Sequence, residues 1–116
     1  MPYQRLVDDL VDAVEAHGAL LLDSEGEVVV AGGVRDVRHR LIGAYQGLAL
    51  AAARRTFERH GGGSIEYIMC RYTEQTVILR PLKDGYYLVL SLSSAGRVGE
   101  GLHHSGRAQE LLNREL

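Results

Sequence analysis

The residues able to do chemistry are few and poorly placed for it. Cys70 sits mid-way along Ser64–Tyr72, an alternating stretch rich in β-branched and aromatic residues. A nucleophilic thiol needs a positioned base and an electropositive setting, and no histidine is near it in sequence, so a packing role is expected. His103 and His104 are adjacent. On a helix they point about 100° apart and cannot share a metal as an i, i+4 pair does. Gly61-Gly62-Gly63 has the glycines of a phosphate cradle, but no Lys-Ser/Thr follows and no strand precedes. It predicts a helix stop with a turn. The loop Gly96-Arg97-Val98-Gly99-Glu100-Gly101 precedes a helix, where anions can bind. It follows an antiparallel hairpin, however, and departs from G-x-G-x-x-G. A small-molecule sensor or cryptic enzyme using that loop is the third functional reading. No paired carboxylates and no Ser/His/Asp cluster emerge. The expectation is a non-enzymatic protein without cofactor or metal.

The elements that carry these residues follow from periodicity. Pro2 suits a first helical turn, and Leu6, Val7, Leu10, Val11 and Val14 recur at three and four, with Asp8, Asp9, Asp12 and Glu15 on the wet side. His17 and Gly18 are expected to end that helix, Gly18 as a left-handed cap. Ala19–Asp23 and Val28–Ala31 flank the turn Ser24-Glu25-Gly26-Glu27 and predict a hairpin. Strands are predicted at Ser64–Tyr72, at Thr76–Leu82 and at Tyr86–Ser93. The Asp84-Gly85 pair turns between the last two. A final helix is expected from about Glu100 to Glu115. Short connections between neighbouring strands imply an antiparallel sheet with helices on its faces, an α+β layered domain spanning 1–116.

Between the hairpin and the third strand a helix is predicted from Val37 to His60. Its run Leu41–Ala53 holds one frankly polar side chain, Gln46, and is bracketed by Arg35, Arg38 and Arg40 before it and Arg54, Arg55 and Arg59 after. A surface helix should show one apolar stripe; this one is apolar nearly all round, yet too short for a bilayer, which takes roughly 20 apolar residues. Both flanks need cover, by the chain's own sheet and by a second copy or another protein. Gly43, Gly47 and Ala51 recur every four residues and share a face. Two helical glycines cost roughly 1 kcal/mol each relative to alanine, and close backbone approach compensates. Contact between molecules is the favoured reading, close seating on the chain's own sheet the other.

Composition sets the bounds. A chain of 116 residues, 46% hydrophobic and 24% charged, suits one globular core. The net charge of −2 argues against general nucleic-acid binding. Residues 1–17 lack the basic start and apolar run of a signal peptide, and the lone Cys70 cannot form an internal disulfide, so a cytoplasmic location away from membranes is expected. Charge is segregated: residues 1–27 carry a net −6, residues 35–59 a net +4, and twelve of the thirteen basic residues are Arg.

Taken with this order of elements, Gly18-Ala19-Leu20-Leu21-Leu22-Asp23-Ser24-Glu25-Gly26, the Ala/Gly-rich helix Leu41–Ala53 and the strand-turn-strand Thr76–Leu90 with its Pro81-Leu82-Lys83-Asp84-Gly85 turn resemble the Roadblock/dynein light-chain domain family. Within it the chain is similar to the MglB-like bacterial and archaeal regulators of Ras-like GTPases. The resemblance spans nearly the whole chain, though its motifs are those of a fold rather than of catalysis. It implies a five-stranded antiparallel sheet, profilin-like, with the long helix on one face and the N- and C-terminal helices on the other. It also implies a homodimer, or a pair with a related Roadblock protein, in which the long helices come together and the sheets can join through their edge strands, with a small Ras-like GTPase docking on the same helical face. The contact surface is then Ile42, Gly43, Tyr45, Gln46, Gly47, Leu50, Ala51 and Arg54. Gly47→Arg is expected to spare the fold and abolish binding. Members of this kind place the GTPase's own groups; Arg54, Arg55 or Arg59 acting in trans as an arginine finger stands second to solvated or salt-bridging roles. An assembly scaffold that leaves nucleotide turnover unchanged is the alternative.

Overall fold

The computed structural model describes residues 2–33, 37–59, 61–93 and 97–116; within them the side chains of residues 37–41, 44, 45, 48 and 57–59 lie outside the description. The elements are α1 (Pro2–Val14), β1 (Gly18–Leu22), β2 (Val28–Gly33), α2 (Val37–Arg59), β3 (Ile68–Arg71), β4 (Gln75–Pro81), β5 (Tyr87–Ser93) and α3 (Val98–Glu115). The sheet runs β2-β1-β5-β4-β3 and every pairing is antiparallel. The expected α+β architecture is the one observed.

Pleating sorts the strand residues onto two faces. Ala19 and Leu21 of β1, Ile78 of β4 and Leu88, Leu90 and Leu92 of β5 join Val7, Leu10, Val11 and Val14 of α1 and Ala108 and Leu112 of α3 in one core. Leu20, Leu22, Val77, Leu79, Tyr87 and Val89 turn the other way and meet Leu50 of α2. Register keeps the faces in step: Leu20 is opposite Ala31 and Val89, Ile78 opposite Leu90, and Leu79 opposite Ile68. Burying each such aliphatic side chain stabilises the fold by about 1.5–3 kcal/mol.

The turns use the chemistry their residues offer. Asp23 accepts hydrogen bonds on one carboxylate oxygen from the amides of Glu25 and Glu27, both at 2.9 Å, and Gly26 takes φ 85°. Asp84 and Gly85 adopt φ 61° and 81°, the left-handed pair that an Asp-Gly turn accommodates.

Some boundaries differ from expectation. The left-handed residue after α1 is Glu15, at φ 51°, while Gly18 opens β1; the Ala16 amide closes the helix on the Val11 carbonyl. β3 is confined to Ile68–Arg71, which pairs with Thr76–Leu79 of β4. α3 begins two residues early, at Val98, and takes in much of the glycine loop. Gly101 there is a packing residue: an added Cβ would stand 2.7 Å from Leu92 Cδ1. His60 and residues 94–96 of that loop fall outside the described residues.

Candidate functional site

α2 crosses one face of the sheet with Gly43, Gln46, Gly47 and Leu50 turned inward. A Cβ on Gly43 would stand 3.2 Å from Leu22 Cδ1 and 3.3 Å from Leu20 Cδ1. On Gly47 it would overlap the hydroxyl and ring of Tyr87. The close approach that these glycines permit is therefore to the chain's own sheet, the second of the two readings. Of the eight residues expected at a contact surface, Gly43, Gln46, Gly47 and Leu50 are buried within the chain, and Ile42 is half-buried against the same core. Ala51 is exposed and Arg54 half-exposed; the side chain of Tyr45 lies outside the described residues. Against the expectation that Gly47→Arg spares the fold, Tyr87 already fills that space and must move for any side chain there.

Other described residues of α2 face away from the sheet. Ala49, Ala51 and Ala52 are exposed, and Arg54 and Arg55 follow them. Apolar patches of this kind at a rim of charge are what protein contacts use.

A second surface lies along β3, an edge strand of the sheet. Tyr67, Met69 and Tyr72 are 41%, 42% and 42% exposed, and with Val29 they are the exposed large hydrophobics among the described residues. An uncovered edge offers unpaired backbone donors and acceptors to another strand. Cys70 sits in this strand, half-buried and free, opposite Val77. The edge is tied to α2 by Gln46, whose amide nitrogen donates to the Tyr72 hydroxyl at 2.6 Å; the amide oxygen is buried and has no partner among the described residues.

Titratable groups add little chemistry here. Burial, with Asp23 second, raises Tyr87 above the ordinary tyrosine value, so its hydroxyl stays protonated at neutral pH. It lines a cleft of about 380 Å³ with Glu25, Gly47, Arg54 and Gly85. On the other side of the sheet, Arg80 is 8% exposed. Its Nε donates to Ser105 Oγ (3.1 Å) and its Nη2 to the Leu102 carbonyl (2.6 Å), while the Tyr67 ring lies 4.7 Å away. Desolvation lowers its pKa, and Tyr67 and Glu66 act against that. Sequence reasoning passed over Arg80, although strand alternation puts it on the same face as Ile78 and so offered the signal.

His103 and His104 meet edge to face, 5.1 Å between ring centroids, and no group of three or more His, Cys, Asp or Glu able to hold a metal occurs among the described residues. No described helix is long and apolar enough to cross a membrane.

A five-stranded antiparallel sheet with α1 and α3 on one face and α2 on the other is a layered α+β fold. The chain belongs to the Roadblock/LC7 domain family, whose profile matches residues 2–91. No curated protein sequence matches it. Among solved structures it resembles MglB of Myxococcus xanthus, at TM-score 0.88 and 13% identity over 98% of this chain and 94% of that one. An MglB described as having a tetrameric arrangement matches at 0.86 and 17% identity, over 97% and 86%. Profilin II of Acanthamoeba castellanii matches at 0.64 and 15% identity, over 99% and 97%. At such identities the likeness is one of fold.

Proposed function

We propose that this protein is a homodimeric, non-enzymatic regulator that binds a small Ras-like GTPase on the outer flank of α2 and modulates its GTP hydrolysis. The observation that carries the reading is the division of α2. Its glycines are spent on the chain's own sheet, yet Ala49, Ala51 and Ala52 still face outward above Arg54 and Arg55. The likeness to MglB and the resemblance to the MglB-like GTPase regulators point to the same class of partner. Self-association is assigned to the β3 edge, along which Tyr67, Met69 and Tyr72 are exposed; the tetrameric arrangement of one MglB is in keeping with association in this fold.

The test is a GTP-hydrolysis assay with the candidate GTPase, run beside a binding assay and a solution mass. Wild type is expected to be dimeric, to bind and to change the hydrolysis rate. Ala52→Arg, on an exposed position, is expected to keep its melting temperature and lose binding. Binding with unchanged hydrolysis would make the protein a scaffold. A monomer whose Ala52→Arg variant binds like wild type defeats the proposal.

A further inference from the structure

We infer that the groove between α3 and the segment leading into β3 binds a small molecule carrying a carboxylate beside a cationic group, with Arg80 as its anchor. The groove lies on the sheet face opposite α2, so this site is independent of the proposed GTPase contact.

Its volume, about 520 Å³, falls in the range of small-ligand sites, roughly 300–1,000 Å³. Arg80 lines it from within the fold. Nε and Nη2 are held by Ser105 and the Leu102 carbonyl, and Ser105 Oγ in turn donates to that carbonyl at 3.2 Å. These bonds fix the guanidinium plane. Nη1 has no hydrogen-bond partner among the described residues, and no carboxylate there comes within 4.0 Å of Arg80. A buried cation is normally paired; here the hydrogen-bond partners are two neutral oxygens, the Tyr67 ring lies over the guanidinium, and the Glu66 carboxylate acts on it only from beyond ion-pair distance. An ionised carboxylate adds the direct ion pair not made among the described residues, and the planar fork suits it better than a point cation would.

The rest of the lining narrows the ligand. Arg107, His103 and Glu110 stand on α3, and Glu66 stands on the facing segment. That near-balance works against a polyanion and favours a molecule bearing both signs, whose cation meets Glu66 or Glu110. Gly106 keeps the wall open: a Cβ there would stand 3.3 Å from Arg80 Nη2. Gln109 holds the two walls together, donating to the Pro81 carbonyl at 2.6 Å and the Glu66 carbonyl at 3.5 Å.

The experiment is an amide-resonance titration of the full chain with β-alanine, acetate, ethylammonium and inorganic phosphate as probes. β-Alanine is expected to shift residues 65–67 and 103–110 saturably, acetate the same set more weakly, and ethylammonium none. Arg107→Gln and Glu66→Gln alter exposed side chains and so leave the fold in place; each is expected to weaken β-alanine binding at least several-fold. Arg80→Lys keeps the charge but loses the fork and is expected to cost about tenfold or more, the scale of one hydrogen bond to a charged group. Shifts scattered outside the groove, phosphate binding tighter than β-alanine, or both exposed variants titrating like wild type would each overturn the assignment.

Discussion

The two faces of the sheet are covered in opposite ways. On one, α1 and α3 press branched side chains into the strands: Val7, Leu10, Val11, Val14 and Leu112 interleave with Leu21, Ile78, Leu88 and Leu90. On the other, the described residues of α2 bring two glycines, an amide, Leu50 and half-buried Ile42. The first face is fastened by volume, while on the second Gly43 and Gly47 leave room for the side chains of Leu20, Leu22 and Tyr87. The lesson is that small residues in an all-round apolar helix mark the side that must come near something, without saying what. Here the near thing is Tyr87 and the β1 leucines.

Substitutions sharpen that contrast. On the fastened face, Leu112→Ala empties a fully buried site and should destabilise by about 2–5 kcal/mol, read from the denaturant midpoint at unchanged slope. On the other face Gly47→Ala, though favoured in an isolated helix, drives a methyl into Tyr87; a net loss of about 1–2 kcal/mol is expected, overpacking exceeding the propensity gain. Equal stability of Gly47→Ala and wild type would mean α2 sits farther from the sheet than described. A third probe uses pH. Because Tyr87 has its pKa raised in the fold, the folded state binds the proton more tightly. Its contribution is whole below the unfolded value of about 10 and is lost as pH climbs through the folded value. Stability should therefore fall above that pH, and Tyr87→Phe should flatten the alkaline limb. At the edge, Met69→Lys should leave monomer stability within about 0.5 kcal/mol while lowering the solution mass. Smallest of all is Arg97→Ala: the pair with Glu15 is 3.9 Å apart and well exposed, and its removal should change stability by less than about 0.5 kcal/mol.

Most of the fold was legible. The heptad-like spacing of α1, the alternation of β4 and the Asp84-Gly85 turn each point one way, and the structure follows them. Legibility failed where contrast failed. From Leu41 to Ala53 hydropathy hardly varies around the helix, so the pattern could not say which flank meets the sheet. Gln46, the one polar residue there, points inward to Tyr72, where a polar residue reads most naturally as solvent-facing. Gly18 looked like a cap because glycine tolerates the left-handed region, but the chain turns at Glu15 and spends Gly18 at the start of a strand opposite Gly33 and Ser91. Arg80 was overlooked because an arginine in a strand suggests an outward position, and its neutral partners on α3 are 22 and 25 residues away.

The strand order holds a consequence for synthesis. Within the sheet, β5 stands between the pair β2-β1 and the pair β4-β3. Until Ser93 has left the ribosome, a nascent chain holds two detached hairpins with no seam between them, and an isolated hairpin is marginal in water. Closure must then come late and all at once, so nascent chains arrested before β5 should be protease-sensitive throughout, with no intermediate length gaining partial protection.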